Sequence, residues 1–202
     1  MNNQNNQKKL VKGFDPIYDE NSEVLILGTA PGVESLKKGE YYADPGNRFW
    51  EMIEAVYGSN GTPLKSAVYQ EKIKYLLDNK IALWDILAFC YRNGSLDKSI
   101  YIPCCPCCDN NETLPIKQFI KDAKRNKIVF PDSIFNDIEG LVKKTKIKKI
   151  ICAGSTAYDL FQIYLKSHPL PGVVVEYAPS TSSMNNGHYA GDKLINAWKA
   201  VL

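Results

Sequence analysis

The sequence predicts an α/β protein, a three-layer α/β/α sandwich around a short, mainly parallel sheet. Three observations predict it. Continuous apolar runs of strand length alternate along the chain with amphipathic stretches of helical period. Turn-forming residues follow the apolar runs, where each strand leads into a loop. The length of 202 residues, with 45% hydrophobic and 23% charged residues, suits one globular domain with a substantial core.

The strands are marked by short apolar runs without polar interruption, such as Val24, Leu25, Ile26 and Leu27. A run of this kind is typical of a strand that is covered on both faces, which is how parallel sheets are built. The predicted strands span residues 24–27, 81–84, 147–152 and 173–177.

The helices are marked by apolar residues that recur every three or four positions. In residues 48–57, Phe49, Met52 and Val56 share one face, and Gly58 follows as a stop signal. The other predicted helices span residues 68–79, 134–142, 155–164 and 191–201.

Two parts of the chain lack this pattern. Residues 1–12 are polar and rich in amides, and they predict a disordered tail before a single domain over residues 13–202. Residues 93–130 are broken by prolines and predict loops, with a cysteine-containing insertion near residues 101–128.

The cysteines of this insertion are the most unusual feature of the composition. Four of the six in the chain are clustered as Cys104, Cys105, Cys107 and Cys108. Their C-x-x-C spacings suit a zinc knuckle, but a closed zinc site needs a second ligand pair, and neither His168 nor His188 is paired at metal spacing. The sequence has no secretory signal, which disfavours a disulfide framework. A cysteine-rich surface loop without metal is favoured, and metal binding is the alternative.

The charge balance permits a nucleic-acid partner without demanding one. The chain has 25 basic and 22 acidic residues and a pI near 8.4, whereas dedicated nucleic-acid-binding domains often have a pI above about 9. Basic residues cluster in segments 121–127 and 143–149, and each cluster suits a solvated helix face as well as phosphate contacts. No apolar run approaches the roughly 20 residues of a membrane span, and no signal peptide is visible. We therefore expect a cytoplasmic protein without a membrane partner.

Ligands of parallel sheets bind where the carboxyl ends of the strands meet. In this sequence that edge comprises residues 28–32, the stretch after Trp84, residues 153–155 and residues 179–185. The first loop matches neither a Walker A motif nor a G-x-G-x-x-G fingerprint, which disfavours a nucleotide-cofactor enzyme. The absence of G-x-S-x-G and the presence of only two histidines disfavour a Ser-His-Asp hydrolase.

Two segments near this edge carry side chains suited to chemistry. Residues 41–50 combine aromatic residues with Asn47 just before a predicted helix, where an asparagine also suits a helix cap. Residues 179–186 are rich in hydroxyl groups, which suit a phosphate but are also common in turns. Taken singly, neither segment decides between these interpretations.

Six blocks stand in a characteristic order along the chain, namely residues 13–22, 24–28, 41–50, 81–85, 94–97 and 179–182. Taken together and in this order, they resemble the hypoxanthine-DNA glycosylases of the uracil-DNA glycosylase superfamily. The resemblance runs from about Gly13 to the C-terminus, with an interruption near residues 101–128. It implies the same three-layer fold and hydrolysis of the N-glycosidic bond of a deaminated base, chiefly hypoxanthine from deoxyinosine. The partner it implies is DNA with a damaged or deaminated base, and no metal or organic cofactor is expected.

The resemblance also implies roles for individual residues. Asn47 is the expected catalytic amide, which orients water or the base, and Tyr42 is expected to stack on the flipped base. Backbone groups of Gly28, Thr29 and Ala30 are expected to line the base pocket. Contacts to the DNA phosphates and a wedge in the vacated stack are expected from Pro179, Ser180, Thr181, Ser182 and Met184. No partner is needed to complete such a site, so a monomer is expected.

This chain departs from the family pattern at several positions. Ala30 stands where an acidic or amide residue is often found, which argues against efficient uracil excision. Asp44 replaces a usual histidine, Ala153 replaces an asparagine, and Ser183 and Met184 replace Pro-Ala. Three alternatives therefore stay open: a glycosylase of the same fold that prefers uracil or another lesion, a catalytically impaired nucleic-acid-binding protein, and a metal-tethered interaction module around the cysteines.

Overall fold

The computed structural model describes residues 8–59, 61–103, 113–128, 130–185 and 187–202. The strands in these ranges are β1 (Lys9–Lys12), β2 (Val24–Gly28), β3 (Ile81–Asp85), β4 (Phe89–Arg92), β5 (Ile100–Pro103), β6 (Thr113–Pro115), β7 (Lys149–Ala153) and β8 (Val174–Ala178). The helices are α1 (Val33–Lys38), α2 (Phe49–Tyr57), α3 (Tyr69–Asp78), α4 (Ile116–Lys124), α5 (Ile138–Lys143), α6 (Ser155–Tyr164) and α7 (Asp192–Lys199).

Four strands form a parallel sheet in the order β3, β2, β7, β8. Their registers place Gly28 opposite Asp85 and Leu27 opposite Cys152, so the carboxyl ends of neighbouring strands meet at one edge. The apolar run of β2 is buried as its composition predicts, since Leu25, Ile26 and Leu27 are fully inaccessible to solvent. Each predicted strand overlaps one strand of this sheet, and the prediction of a mainly parallel sheet is confirmed.

Side chains of the central strands alternate between two hydrophobic cores. Leu25 and Leu27 pack with residues of α4, α5 and α6, whereas Ile26 packs with residues of α2, α3 and α7. Burying a side chain of this size stabilises the fold by about 1.5–3 kcal/mol. Helices thus cover both faces of the sheet, and the predicted α/β/α sandwich is confirmed.

A second, antiparallel sheet of strands β1, β4, β5 and β6 is absent from the sequence prediction. The predicted disordered tail is wrong for Lys9–Lys12, because this segment pairs with β4 and buries Val11. Residues 1–7 lie outside the described residues. The prediction of loops over residues 93–130 is wrong for β5, β6 and α4, whose prolines stand at strand ends and so do not interrupt the pairing.

The cysteine cluster at residues 104–108 lies outside the described residues, and both interpretations of it stay predictions. Within the described ranges, no group of three or more His, Cys, Asp or Glu side chains is placed to hold a metal ion. Cys90 and Cys152 are buried, and burial raises the pKa of both thiols, to about 11 and about 12. Neither is therefore a reactive thiolate at neutral pH.

The basic segment 143–149 leads into β7 at the edge of the sheet opposite the carboxyl ends. Lys143 pairs with Glu139 across one helical turn, and Lys149 donates a hydrogen bond to the Val201 carbonyl. This position and these contacts favour a solvated face over phosphate contacts. None of the helices in the described ranges is long and apolar enough to cross a membrane.

Candidate active site

A pocket of about 170 Å³ opens where the carboxyl ends of the parallel strands meet. Its walls come from residues 28–35 after β2, the segment that precedes α2, residues 95–97, and the loop after β8. The predicted site residues that line it are Gly28, Thr29, Ala30, Tyr42, Asn47, Ser180 and Ser182. Segments that are distant in the sequence therefore meet at the edge where the sheet topology predicts a ligand.

Asn47 enters this pocket with its amide held in one orientation. Its Oδ1 accepts hydrogen bonds from the Phe49 amide at 2.9 Å and from the Thr181 hydroxyl at 2.8 Å. A backbone N–H only donates, so the side-chain atom that faces Phe49 must be the oxygen. Within the described part of the chain the Nδ2 group makes no hydrogen bond, and Asn47 lines the pocket. The residue therefore supports the start of α2 and also offers two free donors to a ligand.

Tyr42 presents an aromatic ring to the same pocket. The ring stacks on Phe49, with centroids 3.8 Å apart and planes inclined by 11°. Its backbone has a φ of 53°, in the left-handed region, which costs a residue other than glycine about 1–3 kcal/mol. The preceding Tyr41 is buried, and its hydroxyl donates to the carbonyls of Phe14 and Asp15. The pair thus uses one tyrosine as an anchor and places the other at the pocket.

Asp85 lies at the end of β3, beside Gly28 in the parallel register, and lines the pocket. A Cβ atom on Gly28 would lie 2.4 Å from Asp85 Oδ1 and 3.3 Å from the Tyr42 hydroxyl oxygen. A side chain at position 28 would therefore have to displace the Asp85 carboxyl, which approaches this point together with the Tyr42 hydroxyl. Asp85 is 5% exposed, and its buried Oδ2 makes no hydrogen bond with any described residue.

The environment of Asp85 favours its neutral form. Burial raises the pKa of this carboxyl from an ordinary 3.8 to about 7, against the opposing effect of Arg92 and with a further increase from Asp97. Burial also raises the pKa of Asp97, although hydrogen bonds from Thr156 and Thr29 oppose this effect. Perturbed carboxyl groups in a pocket are frequent at functional sites, because function needs charges where stability does not favour them.

Arg92 holds the loops that form the pocket wall. The side chain is 3% exposed, and its three nitrogen atoms donate to main-chain carbonyls on both sides of the pocket. These carbonyls belong to Ala30, Pro31, Gly94, Ser95 and Leu96. With every nitrogen satisfied by carbonyl oxygens, Arg92 forms none of the ion pairs found among the described residues.

The loop after β8 connects the pocket to the surface. Thr181 is 1% exposed and its hydroxyl donates a hydrogen bond to Asn47, whereas Ser180 and Ser182 line the pocket. Pro179 is buried, and its carbonyl accepts a hydrogen bond from the Trp198 indole at 2.9 Å. Met184 follows in a short 3₁₀ turn and is 70% exposed, which is unusual for a large apolar side chain.

Comparison with known proteins now identifies the family. Residues 16–202 match the family model described as the uracil DNA glycosylase superfamily. The chain belongs to this superfamily. The resemblance to this superfamily that the ordered sequence blocks predicted is therefore confirmed.

Three relatives give this membership more detail. Two curated proteins, from Methanosarcina acetivorans and Methanosarcina barkeri, are both named Hypoxanthine DNA glycosylase and are 43% identical over 89 residues. The match covers 44% of this chain and 54% of each relative, so the chain spans about half the length of the curated relatives it matches. A solution NMR structure from Methanosarcina acetivorans, described as a candidate uracil DNA glycosylase, aligns with a TM-score of 0.65, 28% identity and 96% coverage of both chains.

The sequence-predicted site did not include Asp85 and Asp97, which line the pocket, or Arg92, which holds its loops. The signal for Asp85 was available, since an acidic residue directly after a fully apolar strand stands at the ligand-binding edge of the sheet. Arg92 and Cys90 share the buried face of β4. Only the structure shows that Arg92 on this face meets the pocket loops.

The departures from the family pattern also have positions in this superfamily fold. Asp44 is exposed, and its carboxylate accepts a hydrogen bond from the Gly46 amide, so it shapes the turn before Asn47. Ala153 lines the pocket at the end of β7 and brings no polar side chain to it. The polar side chains of the wall come from other segments, among them Asn47, Asp85, Asp97, Ser180 and Ser182.

Proposed function

We propose that this protein is a monofunctional DNA glycosylase that acts on deaminated bases, chiefly hypoxanthine from deoxyinosine. In this proposal the enzyme flips the base out of DNA and hydrolyses its N-glycosidic bond, leaving an abasic site. The observation that carries the proposal is the Asn47 amide, whose oxygen is fixed by Phe49 and Thr181 while its nitrogen is free at the pocket. A cavity of about 170 Å³ suits a single heterocycle, since sites for drug-sized ligands have volumes of about 300–1,000 Å³.

The proposed chemistry follows from the charges that develop in the reaction. As the bond breaks, the sugar gains oxocarbenium character and the departing base gains negative charge. A fixed donor such as Asn47 Nδ2 stabilises that charge without reorganising, and removing one donor of this type costs about 10²–10³ in rate. Tyr42 stacks on the base, which contributes about 1–3 kcal/mol to binding.

The loop after β8 supplies the proposed contacts to DNA. Ser180 and Ser182 lie at the rim of the pocket, where hydroxyl and amide donors suit the phosphates beside the flipped nucleotide. Met184 is exposed next to them and is proposed to fill the space that the base leaves, as apolar wedges do in other DNA-bending proteins. The enzyme is proposed to work as a cytoplasmic monomer, without a metal or an organic cofactor.

The names of the curated relatives support hypoxanthine as the substrate. A preference for uracil is the second candidate, because the NMR relative that covers 96% of this chain is described as a candidate uracil DNA glycosylase. Ala30 lines the pocket at a position where the superfamily often has an acidic or amide residue. This departure argues against efficient uracil excision and so favours hypoxanthine.

The test is a strand-scission assay on labelled oligonucleotides that carry one deoxyinosine, one deoxyuridine or one deoxyxanthosine. Alkali then cuts the DNA at abasic sites. We expect cleavage at deoxyinosine that falls by about 10²–10³ in Asn47→Ala and is retained in Asn196→Ala, a matched variant of an exposed asparagine on α7. Asn47→Ala also loses the hydrogen bond from the Phe49 amide at the start of α2, which costs about 0.5–2 kcal/mol of stability. Thermal melting of each variant therefore checks that it is folded at the assay temperature. No cleavage at any of the three bases by folded, DNA-binding protein would refute the proposal, and full activity of Asn47→Ala would refute the role of that residue.

A further inference from the structure

The antiparallel sheet of β1, β4, β5 and β6 has a buried face and an outer face, because side chains alternate along each strand. On the buried face, the side chains of β4 and β5 are at most 3% exposed. The cross-strand register places Leu10, Tyr91 and Tyr101 in one row on the opposite side. Lys12 stands two positions after Leu10 and shares its side, and the Lys8 ammonium reaches this side because it lies over the Tyr101 ring. These five residues are called the outer face.

The charge of this sheet has one sign. Its four strands, as the structure describes them, contain no aspartate or glutamate. Lys8, Lys9 and Lys12 are exposed, and so is Lys98 in the loop between β4 and β5. None of these lysines belongs to the ion pairs found among the described residues. Lysines without a paired carboxylate suit a polyanion, because a nucleic acid releases counterions for each phosphate that the protein neutralises.

The outer face also carries apolar and aromatic surface between these charges. Leu10 is 54% exposed, and the neighbouring Tyr91 and Tyr101 are partly exposed. Lys8 Nζ lies 4.0 Å from the centre of the Tyr101 ring and donates a hydrogen bond to the Thr113 hydroxyl at 3.0 Å. Surfaces that combine basic and aromatic side chains bind single-stranded nucleic acids, whose bases are free to stack on the rings.

This face continues into the wall of the candidate active site. Strands β4 and β5 are the two arms of a hairpin, and the loop between them carries Ser95, Leu96 and Asp97 of the pocket wall. Ser95 is four positions beyond Tyr91, so the chain between them spans at most about 14 Å. A stacked DNA strand advances about 3.4 Å per nucleotide. Tyr91 therefore lies within about four nucleotides of a base in the pocket.

We propose that the outer face binds single-stranded DNA beside the nucleotide in the pocket, with Lys8 and Lys12 at phosphates and Tyr91 against a base. This inference rests on the proposed glycosylase function and names the form of DNA that the enzyme prefers. The charge favours DNA over a second copy of this chain, because two copies of the outer face would bring their lysines together. Deoxyinosine with single-stranded DNA around it is the expected preferred substrate.

The first experiment tests the aromatic ring. Fluorescence anisotropy measures binding to an oligonucleotide with one 2′-fluoro-2′-deoxyinosine, which resists cleavage, both as a single strand and as a duplex with its complement. Tyr91→Leu removes the ring, and the matched variant Tyr91→Phe keeps it. We expect Tyr91→Leu to bind the single strand about 5- to 150-fold more weakly and the duplex within about twofold of the wild type. Tyr91→Phe should bind both forms as the wild type does.

The second experiment tests the charge. Lys12→Gln removes one positive charge from the outer face, and the control Lys148→Gln removes one from an exposed lysine just before β7, at the opposite edge of the parallel sheet. Affinity for the single strand is measured between about 50 and 200 mM salt. We expect Lys12→Gln to reduce the slope of log affinity against log salt by about 0.7 and Lys148→Gln to leave it unchanged.

The outcomes separate this inference from the proposed function. Equal losses of single-strand and duplex binding in Tyr91→Leu, or no loss in either, overturn the inference and leave the glycosylase function intact. Equal salt slopes for Lys12→Gln and Lys148→Gln also overturn it, and this readout holds if Tyr91→Leu does not fold. A wild-type dimer that Leu10→Asp converts to a monomer in analytical ultracentrifugation assigns the outer face to a second copy and overturns the inference too. A wild type that binds the single strand through Tyr91 and Lys12 but cleaves no base overturns the function and leaves the DNA-binding face.

Discussion

Replacing Asp85 with asparagine is expected to stabilise the folded protein at pH 8 and to have little effect near pH 4. Burial raises the pKa of this carboxyl from 3.8 to about 7. Between these two values the folded state binds the proton more tightly than the unfolded chain does. The stabilising contribution of the group is therefore fully present below about pH 4 and is lost as the pH rises through 7. Asparagine never becomes charged, so the variant avoids this loss.

The magnitude follows from the shift itself. A rise of about three pH units at 1.36 kcal/mol per unit sets an upper limit of about 4 kcal/mol for the cost of ionising the buried group. Rearrangement of the pocket and entry of water reduce this cost, and we expect Asp85→Asn to gain about 2 kcal/mol at pH 8. For a domain of this size, this gain corresponds to a rise in Tm of roughly 4–8 °C.

The assay is urea unfolding followed by tryptophan fluorescence at pH 4.5, 6, 7 and 8, since the chain has three tryptophans. The free energy of unfolding of the wild type is subtracted from that of Asp85→Asn at each pH, which cancels the titration of all shared groups. The exposed Asp78→Asn variant serves as control and is expected to stay within about 0.5 kcal/mol of the wild type. A difference between Asp85→Asn and wild type that is the same at pH 4.5 and pH 8 would show that the buried carboxyl does not titrate near neutrality.

Three further substitutions test how the pocket is built. Thr181→Val leaves Asn47 with one of its two hydrogen bonds, so we expect excision to slow about tenfold while DNA affinity is unchanged. Thr181→Ser should restore the rate, and a loss of DNA affinity in Thr181→Val would contradict a positioning role. Tyr42→Ala should weaken binding of an oligonucleotide with 2′-fluoro-2′-deoxyinosine by about 1–3 kcal/mol, whereas Tyr42→Phe should bind as the wild type does in a fluorescence anisotropy titration. Gly28→Ala should displace the Asp85 carboxyl, because the added Cβ would lie too close to Oδ1. In urea unfolding, a double-mutant cycle of Gly28→Ala and Asp85→Ala should therefore give a coupling free energy of about 0.5–3 kcal/mol. Additive effects of the two substitutions would exclude this contact between position 28 and Asp85.

The central sheet could be predicted because its strands carry their own signal. Val24–Gly28 is apolar along its whole length, and strands buried on both faces need that composition. Strand β1 carries no such signal, since Val11 is its one buried residue and the others are exposed. What forms β1 is its pairing with β4, about 80 residues further along the chain, and a local pattern does not report such a contact.

The candidate site could be predicted in part for the same reason. Asn47 and Tyr42 stand in a dense local motif, whereas the contact between Asn47 and Thr181 joins residues 134 positions apart. The role of Gly28 was predicted as backbone lining, but the reason for a glycine is the carboxyl of Asp85 on the neighbouring strand. Sequence patterns thus located the loops of the pocket, whereas only the structure shows which side chains from distant segments contact each other.

Two buried charged side chains, Arg92 behind the pocket loops and Asp85 on the pocket wall, differ in how the chain compensates their burial. Arg92 meets five carbonyl oxygens with its three nitrogens, so its burial is compensated within the protein, and its effect is to fix the loops around Ala30 and Ser95. Asp85 is buried to a similar degree, yet its Oδ2 makes no hydrogen bond with any described residue. Because Asp85 lines the cavity, a change in its charge alters the electrostatics of the pocket itself, whereas a substitution of Arg92 alters the positions of the loops.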